Sequence, residues 1–166
     1  GEQVRKDFSQ YGIRGNKKGG YVINDLLVTI NDIFQRDEQQ NVIIVGMGNI
    51  GKALSQYKGF QKSNVHIIAA IEVDPSKINK KSSIPVYHIN SLEEIIEEHN
   101  VKVAVLAVPE LAAQQVCDQL IEAGIIGILN FSPHVLKTPK NVVINNVNLG
   151  NELEGLVYIT NYMQKD

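Results

Sequence analysis

The sequence has a single cysteine, Cys117, and only four histidines among its 166 residues. One cysteine excludes an intrachain disulfide, so we expect the cytoplasm as the location. No apolar run approaches the roughly 18 residues of a membrane helix, and we expect no secretory signal. The histidines show no metal-ligand spacing, and no nucleophile–base motif is present. The sequence therefore predicts no metal site and no catalytic residue.

Charge is distributed unevenly along the chain, although the net charge is only −2. Residues 1–22 carry five basic and two acidic side chains, a net of +3, and the remainder carries 11 basic and 16 acidic ones. A basic end on an acidic body is typical of a segment that meets a polyanion. A solvated charge cluster is the alternative interpretation.

The chain is organised around a glycine-rich turn. Val42 to Val45 predicts a buried parallel strand, and helix formers run on to Tyr57. Between them lies the G-x-G-x-x-G motif, whose residues are Gly46, Met47, Gly48, Asn49, Ile50 and Gly51. Its glycines permit a sharp turn, close approach of a pyrophosphate and tight packing of helix on strand. The alternative is an ordinary glycine turn that binds no dinucleotide.

A carboxylate follows at the distance that a dinucleotide site requires. Residues 65–71 predict a second strand, and Glu72 comes 21 residues after Gly51. A carboxylate there accepts hydrogen bonds from the adenosine ribose and would repel a 2′-phosphate, so NAD(H) is favoured over NADP(H). Asp74 is the competing candidate.

The rest of the chain alternates predicted strands and helices. Strands are predicted at 86–88, 101–108, 126–130 and 142–147. Helices are predicted from a cap at Ser91, with Glu94 completing a capping box, to His99 and over 110–123, and Pro75 suits a first helical turn. The pattern predicts a Rossmann-type doubly wound parallel sheet in the order 3-2-1-4-5-6. His134 follows the fifth strand, where contact with nicotinamide is the alternative to a structural role.

The N-terminal part resembles a DNA-binding module. Residues 2–11 predict a helix and 12–21 a glycine-rich basic hairpin, in the order found in a winged helix. A further helix is predicted from a cap at Asn24 to Phe34, with Leu26, Leu27, Ile30, Ile33 and Phe34 buried. The side chains suited to phosphates and base edges are Arg5, Lys6, Ser9, Gln10, Arg14, Lys17 and Lys18.

The C-terminal segment 149–163 predicts an amphipathic helix that is apolar over a wide arc. Packing on its own domain and burial against a partner subunit are both open. The predicted domains are 1–36, the C-terminal part of a winged helix; 41–147, an NAD(H)-binding Rossmann domain; and 148–166, a dimerisation helix.

Several motifs together resemble the Rex family of redox-sensing bacterial transcriptional repressors. They are Gln3-Val-Arg-Lys-Asp-Phe-Ser, the glycine motif, Ile71-Glu-Val-Asp-Pro, Ile84-Pro-Val-Tyr-His, Gly127-Ile-Leu-Asn-Phe-Ser-Pro and Asn146-Val-Asn-Leu. The combination covers nearly the whole chain and is specific, whereas the glycine motif alone is not. Asn148 departs from the pattern, because the family commonly has Asp there.

The resemblance implies a homodimer with a swapped C-terminal helix, a winged helix that begins upstream of residue 1, and NADH or NAD⁺ as an effector. It implies a switch role for Tyr57 and a position beside the nicotinamide for Leu149. It also implies cofactor contacts from Val108, Pro109, Asn130, Phe131, Ser132 and Pro133.

The predicted function is a repressor that binds double-stranded operator DNA, as the full-length protein, and is released when NADH binds. No hydride would move. The alternatives are a small NAD-dependent dehydrogenase, for which the chain leaves little room for a substrate domain, and a CoA-binding domain. Glu72, as a ribose ligand, favours NAD over CoA.

Overall fold

The computed structural model describes residues 20–33, 39–62 and 64–163. The predicted helix at 2–11, nearly all of the basic hairpin at 12–21, and Phe34 lie outside these residues. In the described residues the strands are β1 (Gln40–Val45), β2 (Val65–Glu72), β3 (Val86–His88), β4 (Val103–Leu106), β5 (Gly127–Asn130) and β6 (Val143–Asn146). The α-helices are α1 (Ile23–Ile33), α2 (Asn49–Ser55), α3 (Leu92–Glu98), α4 (Glu110–Glu122) and α5 (Leu149–Met163). Short 3₁₀ turns occupy Lys58–Lys62, Pro75–Lys77 and Ile89–Ser91.

The six strands form one parallel sheet in the order β3-β2-β1-β4-β5-β6, which confirms the predicted topology. The chain leaves β1 towards β2 on one side and reaches β4 on the other. This order places a crevice at the carboxyl ends of β1 and β4, where the direction of winding reverses. The crevice is where a ligand of an open α/β sheet is expected.

The core lies on both faces of the sheet. On one face α3 and α4 cover β1 and β4, and Cys117 and Leu120 are fully buried against Leu106. On the other face α2 and the turn at Lys58–Lys62 cover Ile44 and Ala70. Each fully buried aliphatic side chain stabilises the fold by about 1.5–3 kcal/mol. Cys117 is thus a small core residue.

The β5–β6 edge is less well covered. An irregular segment joins the two strands, and it is tied to α4 by a reciprocal pair of hydrogen bonds between Gln114 and Lys137. Val143 of β6 is 72% exposed. The edge of the sheet from which α5 departs therefore presents apolar surface without a covering helix in the described residues.

Three local predictions are wrong. α1 begins at Ile23, so Asn24 lies in its first turn and does not cap it, and Leu27 is 51% exposed because α1 packs on little else in the described residues. Ser91 makes no side-chain capping bond, because it belongs to the turn Ile89–Ser91 and lacks the extended backbone of a cap. By contrast, Pro75 does occupy a first helical turn, that of the 3₁₀ turn Pro75–Lys77.

Two differences at strand ends shape the crevice. Glu72, predicted to follow β2, is its last residue. β4 is shorter than the predicted 101–108 and ends at Leu106. After the Ala107 N–H bonds the carbonyl of Val45, residues 107–109 turn away from the sheet. This turn makes them one wall of the crevice.

Candidate functional site

A cavity of about 580 Å³ opens at the carboxyl ends of β1, β2 and β4. Its walls come from the glycine turn, the end of β2, the turn after β4 and the first half of α4. The lining residues are Val45, Gly46, Gly48, Asn49, Ile50, Ile71, Glu72, Val73, Asp74, Lys77, Ile89, Ala107, Val108, Pro109, Ala112 and Val116. The chemical character of the lining changes along the cavity: charged groups lie beside β2, and apolar groups lie beside β4 and α4.

Two glycines of the motif are required by the chain itself. Gly46 has a φ of +97°, and a Cβ there would lie 2.5 Å from the carbonyl oxygen of Ala107. A Cβ at Gly51 would collide with the carbonyl oxygen of Gly46. Any side chain at either position would therefore push the turn away from β4 or α2 away from the turn.

Gly48 is different. Its backbone lies in the extended region, at φ −74° and ψ −164°, which any residue adopts. A Cβ built on it would meet nothing within 4 Å, and Gly48 lines the cavity. The chain thus gives no internal reason for a glycine here. The open space in front of Gly48 fits a ligand that approaches the backbone closely, as a pyrophosphate does.

Glu72 is buried beneath the glycine turn, with 8% of its side chain exposed. Its Oε2 accepts the Met47 N–H at 2.9 Å and lies 3.2 Å from Lys77 Nζ. Its Oε1 accepts the N–H groups of Val73 and Asp74 at 2.8 and 3.2 Å. Burial alone would raise the pKa of this carboxyl, but the hydrogen bonds from Asp74, Met47, Val73 and Lys77 outweigh burial and lower the pKa.

Asp74 supplies a second carboxylate two residues further on. Its Oδ1 accepts the N–H and the hydroxyl of Ser76 at 3.0 and 2.7 Å, which caps the turn Pro75–Lys77. Hydrogen bonds from the side chain and the backbone of Ser76 lower the pKa of Asp74. Lys77 Nζ is 3.9 Å from Oδ2. The site therefore holds two ionised carboxylates and one cation.

The predicted cofactor residues divide into those at the cavity and those beside it. The cavity brings together Gly46, Gly48, Asn49, Ile50, Glu72, Asp74, Val108 and Pro109. Met47 contributes its backbone N–H to Glu72, and its side chain lines a neighbouring cavity of about 490 Å³. Gly51 is buried beneath the turn.

The predicted residues after β5 do not line the cavity. Asn130 is buried, donates to the His134 carbonyl and to Asn146 Oδ1, and accepts the Ser132 N–H. Ser132 Oγ is buried and has no hydrogen-bond partner among the described residues. His134 Nδ1 lies 3.9 Å from Glu110 Oε1. The Asn130 side chain thus shapes this loop, while the Ser132 hydroxyl remains available.

Tyr57 and Leu149 also lie away from the cavity. The Tyr57 ring packs edge-on against Phe60, 5.1 Å between centroids, and lies over Gly59. Leu149 begins α5 and is 63% exposed. The predicted DNA-binding residues between Arg5 and Lys18 lie outside the described residues. In the described part, no group of three histidine, cysteine or acidic side chains could hold a metal ion, and no helix is long and apolar enough to cross a bilayer.

Sequence reasoning missed several lining residues. Lys77, Ile89, Ala107, Ala112 and Val116 all reach the cavity. A cation two residues after Pro75 gives no signal in a single sequence. Ala112 and Val116 carry the four-residue spacing of one helix face, but that spacing is equally typical of a core face, and Val116 also packs in the core.

Comparisons with known proteins agree with this geometry. Residues 37–134 match the family model described as a CoA binding domain. A Redox-sensing transcriptional repressor Rex from Listeria welshimeri is 41% identical over 164 residues, which are 98% of this chain and 76% of the relative.

Solved structures of RSP, a Rex-family repressor, are also similar. RSP in complex with beta-NAD+ and operator DNA has a TM-score of 0.84 and 30% identity, over 98% of this chain and 76% of that one. RSP in complex with beta-NADH has a TM-score of 0.79 and 29% identity over the same shares. The chain therefore belongs to the family of Rex redox-sensing transcriptional repressors, and within it residues 37–134 belong to the CoA-binding domain family.

Proposed function

We propose that this chain is the sensor part of a redox-responsive transcriptional repressor, which binds NADH as an effector and releases operator DNA when NADH is bound. The observation that carries the proposal is the open space in front of Gly48, beside two ionised carboxylates, at the point where the sheet reverses its winding. The name of the Listeria relative, and the RSP complexes with beta-NAD+ plus operator DNA and with beta-NADH, support it. The chain is a regulator, and the dinucleotide undergoes no reaction on it.

The cavity residues fit an extended dinucleotide. The pyrophosphate would lie against Gly48, where no side chain intervenes. The adenosine end would lie beside Glu72, Asp74 and Lys77, whose charges suit ribose hydroxyls. A 2′-phosphate would meet two carboxylates and only one lysine, so NADPH should bind far more weakly than NADH.

The nicotinamide end would lie between the turn after β4 and α4. Ala107, Val108, Pro109 and Ala112 make this end of the cavity apolar. Oxidised nicotinamide carries a positive ring charge, and the reduced ring is neutral. Because an apolar wall gives no compensation for the loss of hydration of a charge, we expect NADH to bind more tightly than NAD⁺.

The loop after β5 lies along the same edge of the sheet. The Phe131 N–H bonds the carbonyl of Leu106, which places the loop beside the turn that carries Val108. We propose that Phe131, Ser132 and Pro133 close the nicotinamide end when the ligand is present, and that Asn130 holds this loop in shape. The unpartnered Ser132 hydroxyl would then meet a polar group of the nicotinamide.

A homodimer would bury the exposed apolar face of α5. α5 exposes every residue along Leu149–Met163, including Leu153, Leu156 and Ile159 at 62, 58 and 56%. An apolar surface of this extent is typical of an interface. We propose that α5 is swapped onto a second copy, so that Tyr57 and Leu149 meet the nicotinamide end across the dimer.

DNA binding belongs to the full-length protein in this proposal. Arg5, Lys6, Ser9, Gln10, Arg14, Lys17 and Lys18 would supply it, within a winged helix. Two-fold symmetry of the dimer predicts a palindromic operator. NADH would bind the closed dimer preferentially, and a coupling of about 1–3 kcal/mol between the two sites would be usual. A cytoplasmic location follows from this partner.

The first experiment is a parallel titration of NADH, NAD⁺ and NADPH into the chain, with its mass in solution recorded. We expect tight NADH, weaker NAD⁺ and very weak NADPH binding by a dimer. Equal binding of NADH and NAD⁺ by a monomer would contradict the sensor. For the full-length protein, operator binding that ignores added NADH would contradict the repressor mechanism.

A CoA-binding domain is the second candidate, because the matching family model carries that description. CoA has a phosphate on its adenosine ribose, and the carboxylates of Glu72 and Asp74 would repel it. Adding CoA to the same titration separates the two candidates. Tight CoA binding without NADH binding would reverse the order in which we place them.

A further inference from the structure

The carboxylate of Glu72 already has as many donors as it can accept. A carboxylate offers about four lone-pair sites, two on each oxygen. Met47 and Lys77 occupy Oε2, and Val73 and Asp74 occupy Oε1. A ribose hydroxyl would therefore have to displace one of these four donors.

Three of the four donors cannot move away. The N–H groups of Val73 and Asp74 are fixed to the end of β2, and the Met47 N–H is fixed by the glycine turn. Only Lys77 is a flexible side chain, and the Glu72 side chain is only 8% exposed. The geometry makes Glu72 a clamp that ties the glycine turn to β2.

Asp74 has the acceptor that Glu72 lacks. Its Oδ1 is taken by Ser76, but its Oδ2 has no hydrogen bond among the described residues, with Lys77 Nζ at 3.9 Å. Its side chain is 44% exposed and lines the cavity. The carboxylate is ionised near neutral pH, because Ser76 lowers its pKa.

We propose that Asp74, rather than Glu72, accepts the hydrogen bond from a hydroxyl of the adenosine ribose, and that Glu72 is a positioning residue that holds the Met47 N–H and thereby the glycine turn. The proposal rests on the proposed function, since it assumes a nicotinamide dinucleotide in this cavity. It favours the competing candidate Asp74 over Glu72, because sequence spacing locates the end of β2 but does not count the donors around the Glu72 carboxylate.

The test compares NADH with its analogues that lack the 2′- or the 3′-hydroxyl of the adenosine ribose. Asp74→Ser keeps an oxygen that can cap the turn Pro75–Lys77 and removes Oδ2. Glu72→Gln keeps the size of the clamp and removes its charge. Asp118→Asn is the matched control, since Asp118 is an exposed carboxylate on α4 whose one hydrogen bond within the described residues comes from Gln114.

The wild-type chain and Asp118→Asn should bind NADH about ten-fold more tightly than one of the two analogues. Asp74→Ser should bind NADH and that analogue equally. Glu72→Gln should weaken NADH and both analogues by the same factor, so that the ten-fold preference persists. A preference that is lost in Glu72→Gln and kept in Asp74→Ser would overturn the proposal.

The outcome for the wild-type chain separates the two proposals. Binding of NADH without any preference over the analogues would overturn the role of Asp74 and leave the sensor intact. Absence of NADH binding would overturn the sensor and the assignment together. Melting curves of each variant verify folding, and if Glu72→Gln is unfolded, Asp74→Ser alone decides between loss and retention of the preference.

Discussion

The glycine turn and α5 differ in whether their groups find partners within the same chain. Three backbone N–H groups at and beside the turn have partners within the chain: Gly46 donates to the carbonyl of Ile71, Ala107 to that of Val45, and Met47 to the carboxylate of Glu72. α5 has an almost continuous apolar face and buries none of it. The turn is thus held in shape by bonds within the chain, whereas we propose that α5 forms an interface with a second copy. The difference shows that one chain can fix the glycine turn of its site by itself and still leave an apolar face for a partner.

The largest expected effect distinguishes a glycine needed by the chain from a glycine needed by the ligand. Gly51→Val should destabilise the fold by about 4 kcal/mol or more, because the new Cβ collides with the carbonyl of Gly46. Gly48→Val should melt within a few degrees of the wild type but lose NADH binding, because it fills the pyrophosphate space. Thermal melting and NADH titration of both variants measure this. Normal NADH affinity in a folded Gly48→Val variant would contradict the ligand assignment.

A second prediction concerns the exposed apolar face of α5. Leu153→Glu together with Leu156→Glu should convert a dimer into a monomer, because two charges would be buried in the interface. Glu154→Gln, an exposed position on the same helix, is the matched control and should leave the dimer intact. Sedimentation or light scattering gives the mass. A double variant that remains dimeric would exclude α5 from the interface.

The third prediction tests how much the Glu72 carboxylate contributes to the free energy of unfolding. Glu72→Gln should cost about 1–3 kcal/mol of the free energy of unfolding near pH 7, because the charged hydrogen bonds become neutral ones. The pKa of Glu72 is lowered in the folded state, so its contribution is present above the unfolded pKa and is lost as the pH falls through the folded one. The stability curves of wild type and variant should therefore converge below about pH 4. Parallel curves down to pH 2 would contradict an ionised clamp.

The smallest effect is expected at Ser132, whose buried Oγ has no hydrogen-bond partner among the described residues. Ser132→Ala should change the free energy of unfolding by less than about 0.5 kcal/mol, since the Ser132 hydroxyl makes no hydrogen bond in the described part of the chain. NADH affinity should fall several-fold if that hydroxyl meets the nicotinamide. Equal NADH affinity in the two proteins would remove Ser132 from the site.

Sequence reasoning predicted those features that local patterns determine. The order of the sheet follows from alternating apolar strands and helices, and the bounds of α5 agree with the predicted 149–163. The prediction that Ser91 caps a helix was wrong because the capping pattern does not reveal the preceding 3₁₀ turn. The prediction that Leu27 is buried was wrong because an apolar helix face predicts burial without identifying the surface that covers it.

The candidate site was predictable only in part, for a similar reason. The spacing from Gly51 placed Glu72 at the edge of the crevice. The four donors around its carboxylate come from three separate places in the fold, and Lys77 reaches it only because the turn Pro75–Lys77 folds back. Contacts of this kind depend on tertiary geometry, which a single sequence does not display.

The hydrogen bond from Met47 to Glu72 has a consequence for the speed of sensing. Because the turn is held in its binding shape before the ligand arrives, little conformational entropy remains to be lost on association. The glycine turn needs no slow rearrangement before it meets the pyrophosphate, so we expect the association rate to follow diffusional encounter and affinity differences between NADH and NAD⁺ to arise in their residence times. Such a sensor would follow a change in the nucleotide pool as fast as the bound nucleotide leaves.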